Sequence, residues 1–220
     1  MSIQKNLEFL KSQLSEGIDL VAVSKTKPIE DILKAYEVGH RIFGENKIQE
    51  MTQKQELLPK DIQWHMIGHV QRNKVKYMAS YVSLIHGVDS LKLLREINKQ
   101  ALKNKRVIDC LLQVHIAQES SKFGFDANEI NAVFDELKEN TLSNIRVVGL
   151  MGMASFTENK DQVKEEFLSL KKTYDIHQSS QKLSILSMGM SGDYELAIAC
   201  GSNMIRVGSR IFGERNTPPL

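Results

Sequence analysis

The stretch IDLVAVSKTKPIEDILKAYEVGHRIFG, residues 18–44, decides the fold. It begins with an apolar, β-branched run, residues 18–26, that predicts a buried strand. Pro28 follows at a position where helices often begin, and the next residues have the spacing of an amphipathic helix. RIFG, residues 41–44, predicts a second strand. A strand, a helix and a further strand in close succession are typical of a parallel sheet.

The same alternation continues to the end of the chain. Six further apolar runs cover residues 62–68, 81–88, 106–117, 145–154, 183–189 and 203–208. Amphipathic stretches separate them over residues 45–58, 70–80, 90–105, 126–140, 161–177 and 193–200. Eight strand-like runs alternating with helices predict an α/β fold, a single-domain (β/α)8 TIM barrel over residues 1–220.

Two features lie outside this repeating pattern. An amphipathic stretch before the first strand, with Ser2 as its N-cap and Gly17 as its stop, predicts an extra N-terminal helix in the place of an eighth helix. The alternative fold is an open, doubly wound sheet. Its usual G-x-G-x-x-G fingerprint is absent after the first strand, which ends in SKTKP.

Charge and cysteine content limit the class of protein. Lys and Arg total 29 and Asp and Glu total 27, a near balance that argues against a broad nucleic-acid-binding surface. No apolar run reaches the roughly 18 residues that a membrane span needs. Cys110 and Cys200 are the two cysteines, far apart in sequence, which indicates buried, reduced thiols in the cytoplasm.

A lysine follows the first strand, and function in such barrels lies where the strands end. Lys25 has two interpretations: a side chain that runs its stem along apolar surface, or a partly buried amine suited to a Schiff base. Lys27 competes for the second role, but it precedes Pro28 and lies beyond the strand, so it ranks below Lys25.

Glycine and serine cluster after the last two strands. SMGMSGD, residues 187–193, and RVGSRIFG, residues 206–213, fall where barrels often bind phosphate. Each stretch alone is weak evidence, because Gly and Ser are common in turns. A lysine that could react with an aldehyde, together with glycine-rich loops that could hold a phosphate, points to pyridoxal 5'-phosphate (PLP).

His65 and His86 lie within apolar strands without metal-ligand spacing, which predicts packed, hydrogen-bonded histidines.

Several motifs together resemble the PLP homeostasis protein family, which is alanine-racemase-like. They are VAVSKTKP (21–28), FGENKIQE (43–50), WHMIGHVQRNK (64–74), SKFGF (121–125), GLMGMA (149–154), SMGMSGD (187–193) and GSNMIRVGSRIFG (201–213). His69 and Asn203 depart from the family's common residues, proline and threonine. The resemblance implies a barrel like the N-terminal domain of alanine racemase.

The resemblance also implies a set of cofactor-binding residues. Lys25 would hold PLP as a Schiff base, and Arg206 would face the pyridine nitrogen. Ser191, Gly208 and Ser209 would hold the phosphate, and Asn46 would lie along the ring edge.

The implied function is intracellular PLP homeostasis without appreciable catalysis. A racemase is the alternative, but it needs a second acid/base group, which two-domain racemases take from a domain that this chain is too short to include. A third hypothesis is a PLP-free barrel whose lysine forms an aldolase-type Schiff base, but it leaves the motifs unexplained. We expect a cytoplasmic monomer that serves PLP-dependent apo-enzymes.

Overall fold

In a computed structural model the chain forms a closed barrel of eight parallel strands, each paired with the next and the last with the first. Residues 2–119, 123–139 and 142–214 are described. The strands are β1 (Asp19–Val23), β2 (Ile42–Glu45), β3 (Gln63–Met66), β4 (Leu84–Val88), β5 (Ile108–Gln113), β6 (Ile145–Met151), β7 (Ile185–Ser187) and β8 (Met204–Val207). The predicted (β/α)8 barrel is confirmed, and the open doubly wound sheet is excluded.

Helices lie outside the strands. They are α1 (Ile3–Ser12), α2 (Ile29–Glu37), α3 (Ile48–Leu57), α4 (Leu91–Lys103), α5 (Glu129–Glu139), α6 (Lys160–Gln181), α7 (Tyr194–Ala199) and α8 (Ser209–Phe212), and a 3-10 helix (Arg72–Tyr77) connects β3 to β4. Within the described ranges, no helix combines the length and apolar composition that a membrane crossing requires.

The barrel closes by pairing β8 with β1. Val21 stands opposite Arg206, and Ala22 stands opposite Val207. The last strand therefore lies beside the first, so residues that follow β8 and β1 meet at one edge of the barrel. Parallel strands all end on the same face, which makes that face the mouth where loops converge.

Apolar side chains fill the barrel interior, and a larger core lies between strands and helices. Interior positions include Val21, Leu84, Leu111, Met151 and Met204, all buried. Between β6 and β7 the backbones approach so closely that a Cβ on Gly149 would lie 1.8 Å from the carbonyl oxygen of Ile185. Only glycine fits at that position.

The N-terminal helix packs where the sequence placed it. Ser2 caps α1 by accepting a hydrogen bond from the Lys5 amide, as predicted. Leu7 and Leu10 are buried, and Asn6 Nδ2 donates to the carbonyl of Ile211 at 3.1 Å. α1 thus covers the short α8 and completes the helical layer.

Some predicted boundaries are wrong. α1 ends at Ser12, and Gly17 adopts its positive φ of 87° in the turn that leads to β1. The helix predicted over 70–80 is a short 3-10 helix; Val70 and Val75 are five residues apart, which does not match α-helical spacing. In the predicted helix 45–58, residue 45 belongs to β2. Residues 121–122 of the SKFGF motif and residue 140 of the predicted helix 126–140 lie outside the described residues.

Candidate functional site

Lys25 lies just past the end of β1, half-buried at the mouth. The residue before it is held by two buried groups. Ser24 donates its hydroxyl proton to Glu45 Oε1 at 2.6 Å, and its carbonyl oxygen accepts from Lys54 Nζ at 2.8 Å. Both partners come from the neighbouring β2–α3 segment, so strand pairing between β1 and β2 brings them next to Ser24.

The residue after Lys25 is held by the same group of side chains. The amide of Thr26 donates to Glu50 Oε1 at 2.6 Å, and Thr26 itself has a φ of 64°. Lys54 Nζ donates to Glu45 at 2.8 Å and to Glu50 at 2.7 Å. We call Ser24, Glu45, Glu50 and Lys54 the Lys54 cluster; it fixes the backbone on both sides of Lys25.

Within the Lys54 cluster, Glu45 is the charged group in the most buried position. Its side chain is fully buried, and Oε2 is the one buried side-chain polar atom of the described residues without a hydrogen-bond partner. Burial raises the pKa of Glu45, while Lys54 and Ser24 oppose that rise. Lys54 is 7% exposed, so the two charges form a buried pair in contact with Ser24, the residue before Lys25.

Lys27 is engaged elsewhere. Its Nζ donates to the carbonyl oxygens of Phe212 at 3.1 Å, Gly213 at 3.1 Å and Glu214 at 3.2 Å. Cations are favourable at helix C-termini, where the last carbonyls have no partner within the helix. Lys27 therefore ties the β1–α2 loop to the end of α8, a structural role that agrees with its rank below Lys25.

Arg206 lies inside the barrel on β8, 4% exposed. Nη1 donates to Ser187 Oγ at 2.6 Å, and Nη2 donates to the carbonyl of Gly152 at 3.1 Å. Both acceptors are uncharged. Burial lowers the pKa of Arg206 to about 10, against a rise from the charge of Asp193, so the guanidinium remains charged at neutral pH.

Two buried histidines extend the contacts of Arg206. Ser187 Oγ lies 3.2 Å from His86 Nδ1, and His86 Nε2 lies 3.1 Å from His65 Nδ1. Burial, with the neighbouring His65 and Arg206, lowers the pKa of His86 well below its usual value. Burial, then His40, lowers the pKa of His65 to about 3. Both imidazoles are neutral at pH 7, which confirms the prediction of packed, hydrogen-bonded histidines.

The predicted phosphate residues meet where β7 and β8 end. Ser191 Oγ accepts from the amide of Gly208 at 3.1 Å. Gly208 precedes α8, and a Cβ on it would lie 3.2 Å from the carbonyl oxygen of Val23 on β1. Ser209 begins α8 and is exposed. This loop therefore lies against the end of β1, two residues before Lys25.

Asn46 follows β2 directly and is half-buried. Its backbone is packed against Gly68, where an added Cβ would lie 2.5 Å from the Asn46 carbonyl oxygen. The structure thus brings Ser191 and Gly208 into direct contact. It places Lys25, Asn46, Arg206 and Ser209 at the ends of β1, β2 and β8, which are neighbours in the barrel.

Sequence reasoning missed two groups that support the site. Lys54 and Glu50 are four residues apart on α3, the spacing at which helical side chains meet, and that spacing was a usable signal. Ser187 and the two histidines had weaker signals, because strand alternation alone does not show which inward residues touch across a barrel. Among residues 2–119, 123–139 and 142–214, no group of His, Cys, Asp and Glu could hold a metal ion. Cys110 and Cys200 are buried thiols, as predicted.

The fold and the site define a class: a closed (β/α)8 barrel with a lysine after β1 and a buried arginine on β8. Solved structures share the fold. PipY of Synechococcus elongatus PCC7942, solved without PLP, superposes with a TM-score of 0.91 at 34% identity, covering 96% of this chain and all of that chain. The same protein with PLP bound gives 0.87 at 33% identity over 96% of this chain and 100% of that one. Alanine racemase of Clostridium difficile 630, at 15% identity, shares the fold: the TM-score is 0.75, over 98% of this chain and 56% of the racemase.

Sequence comparison gives the family. The family model "Alanine racemase, N-terminal domain" matches residues 1–216. The pyridoxal phosphate homeostasis protein of Aquifex aeolicus is 40% identical over 199 residues, 89% of this chain and 86% of that protein. The chain belongs to the alanine racemase N-terminal domain family and, within it, to the pyridoxal phosphate homeostasis proteins.

Proposed function

We propose that the protein binds PLP at the barrel mouth and serves intracellular PLP homeostasis. The observation that carries this proposal is the placement of Lys25 just past the end of β1 and of Arg206 on β8, the strand paired with β1, in a chain whose relative PipY was solved with PLP bound. The Aquifex aeolicus homologue, matched over 89% of this chain and 86% of its own length, carries the homeostasis name.

The residues present fit PLP. Arg206 is a buried cation with neutral partners, so it can donate to a ring nitrogen or an anion without first breaking an ion pair. Ser191 and Ser209 offer hydroxyls, and the close approach of Gly208 to Val23 leaves little room for a side chain between the two strand ends. These groups match the aldehyde, ring and phosphate of one molecule.

We assign roles on that basis. When bound, PLP supplies an electrophilic aldehyde and a pyridine ring that can withdraw electrons. Lys25 provides the amine for covalent attachment, and Asn46 lies along the ring edge. Ser191, Gly208 and Ser209 hold the phosphate. Arg206 donates to the pyridine nitrogen; because a guanidinium does not give up its proton, that nitrogen stays unprotonated and the ring withdraws electrons less strongly.

We further propose that the protein is a carrier without its own turnover. The histidines inside the barrel are poor candidates for acid/base chemistry, because His65 and His86 have depressed pKa values and already hydrogen-bond to each other. A weakened electron sink and the engagement of His65 and His86 with each other both favour holding PLP over transforming a substrate.

Assembly and location complete the proposal. All residues assigned here come from one chain, so we propose that residues 1–220 act as a single PLP-binding domain and as a monomer. We further propose that the protein lies in the cytoplasm and that PLP-dependent apo-enzymes receive the cofactor from it. Light scattering of the purified protein tests the monomer.

The decisive experiment for PLP binding is absorption spectroscopy before and after borohydride reduction, followed by peptide mapping. Reduction should fix one cofactor per chain on the peptide that contains Lys25. A protein that neither absorbs in the visible range with PLP nor becomes labelled would overturn the proposed function.

A further inference from the structure

Four buried side chains form a continuous hydrogen-bonded line through the barrel. They are Arg206 on β8, Ser187 on β7, His86 on β4 and His65 on β3, and we call them the interior chain. Each is no more than 4% exposed. Such a line must be satisfied in one consistent order of donors and acceptors, because unpaired buried polar groups are destabilising.

The guanidinium sets the direction of that order. Arginine has donors only, so Ser187 Oγ accepts from Arg206. A serine hydroxyl has one proton of its own, and the other side-chain partner of Ser187 among the described residues is His86 Nδ1. If His86 donated instead, the serine proton would have no acceptor there. Ser187 therefore donates to His86 Nδ1.

The same reasoning fixes both imidazoles. With Nδ1 as an acceptor, neutral His86 carries its proton on Nε2, and that proton is donated to His65 Nδ1 at 3.1 Å. His65, as an acceptor at Nδ1, carries its own proton on Nε2. Every donor in the interior chain then points away from Arg206, the arrangement that a positive charge at one end favours electrostatically.

We infer that His86 is a positioning residue for Arg206, which acts by holding the Ser187 hydroxyl so that its lone pair faces the guanidinium. Without His86 Nδ1 as acceptor, Ser187 can rotate its proton towards Arg206, and the guanidinium loses a fixed partner. This inference deepens the proposed function, since the value of an oriented Arg206 rests on its contact with PLP. His65 holds the far side of the His86 ring and completes the line.

The first test needs no cofactor. Nitrogen-15 NMR of histidine-labelled apo-protein at neutral pH reports which ring nitrogen carries the proton. We expect both His65 and His86 as neutral Nε2–H tautomers. Assignment uses the loss of one signal in His86→Asn. An Nδ1–H tautomer or a protonated ring at His86 would overturn the inference, whether or not the protein binds PLP.

The second test uses a matched pair of substitutions. In His86→Asn the amide oxygen replaces Nδ1 as the acceptor for Ser187, while contact with His65 is lost. In His86→Gln the longer amide replaces Nε2, so contact with His65 is kept and the acceptor for Ser187 is lost. We expect His86→Gln to weaken PLP affinity about tenfold and to shift the visible absorbance of the bound cofactor, with His86→Asn within about threefold of wild type.

Ser187→Ala gives an independent variant of small size. It removes the hydroxyl between Arg206 and His86 and should behave like His86→Gln. Equal losses in His86→Asn and His86→Gln would show that His86 only packs, and an unchanged Ser187→Ala would show that Arg206 needs no such partner; either result overturns the inference. Wild-type protein without PLP affinity would instead refute the proposed function, and the tautomer measurement would still decide the interior chain.

Discussion

The ammonium group of Lys54, on α3, donates a hydrogen bond of 2.8 Å to the backbone carbonyl of Ser24, the residue before Lys25. Through Glu50 the same ammonium also reaches the amide of Thr26, the residue after Lys25. One buried cation thereby holds the backbone on both sides of the site lysine. A side chain that lies outside the motif SKTKP therefore holds the backbone from which the Lys25 side chain extends.

Substitution of Lys54 should impair both stability and PLP attachment. Lys54→Met leaves Glu45, fully buried, without its cation, and breaking a buried pair from one side costs about 3 kcal/mol. The Ser24 carbonyl also loses one of its two donors and keeps only the backbone amide of Lys27, so we expect PLP affinity to fall about tenfold. Urea unfolding and PLP titration measure the two effects.

A double variant separates these two effects. Adding Glu45→Gln to Lys54→Met removes the uncompensated charge, so part of the lost stability should return. The hydrogen bond to Ser24 is still missing, and PLP affinity should stay low. Recovery of affinity in parallel with stability would show that Lys54 acts only on folding.

Lys25 and Lys27 should respond differently to truncation. We expect Lys25→Ala to abolish the visible absorbance of the lysine-bound cofactor and its fixation by borohydride. Lys27→Ala should retain both and lose about 1 kcal/mol of stability, because Lys27 binds the carbonyls at the end of α8. Spectra and unfolding curves of the two variants test this. An unchanged band in Lys25→Ala would remove Lys25 from the site.

A pair of glycines tests the phosphate loop. A Cβ on Gly208 would lie 3.2 Å from the Val23 carbonyl oxygen, so Gly208→Val should press β8 away from β1 and weaken PLP binding about tenfold or more. Gly192, one residue past Ser191, has nothing within 4 Å of an added Cβ, and Gly192→Ala should bind PLP normally. Calorimetric titration gives both affinities.

The same loop is tested with a second ligand. Pyridoxal, which lacks the phosphate, should bind wild-type protein far more weakly than PLP. Equal affinity for pyridoxal and PLP would exclude Ser191, Gly208 and Ser209 as phosphate ligands.

Buried histidines should make the protein sensitive to mild acid. The pKa of His40 is lowered to about 4 and that of His65 to about 3, chiefly by burial, and the pKa of His86 is also low. Unfolded histidines take up protons as the pH falls through about 6.5, and the folded ones do not, so stability is lost below that pH. Each contributes about 1.4 kcal/mol per pH unit well below 6.5.

Urea unfolding at pH 7, 6 and 5 measures this loss. His40 Nε2 bonds the carbonyl of Ile42 at 2.8 Å, and a glutamine amide can donate in its place. His40→Gln should therefore reduce the slope of unfolding free energy against pH, by a small amount between pH 7 and 6 and by an amount approaching about 1.4 kcal/mol per unit near pH 5. A slope unaffected by this substitution would contradict the assignment of His40 as a buried neutral group.

Much of the fold follows from local patterns. Apolar runs such as residues 18–26 and amphipathic stretches such as that before Gly17 are short-range features, and eight alternations leave few topologies for a parallel sheet. The exact ends of the helices were not predicted. The end of α1 at Ser12 and the 3-10 helix at Arg72–Tyr77 depend on packing against neighbours, which local spacing does not encode.

The site was predictable only in part. Lys25 is marked by its place at a strand end, and Gly208 by a glycine-serine pair after the last strand. Contacts between distant segments were not marked: Ser187 meets His86 across the barrel, and Lys54 reaches Ser24 from a helix. Such contacts depend on register and side-chain length, which become fixed only when the barrel closes.

The last prediction concerns catalysis. Racemisation needs two acid/base groups on opposite faces of the substrate. Lys25 provides one. Arg206 keeps its proton, which leaves the ring nitrogen of PLP unprotonated and weakens carbanion stabilisation. We therefore expect stoichiometric PLP binding with negligible α-proton exchange. The measurement is proton NMR in deuterated water with a panel of D- and L-amino acids, with free PLP as the background control. Turnover of about 1 per second or more, lost in Lys25→Ala, would show that the protein is a racemase and that a second acid/base group reaches the mouth.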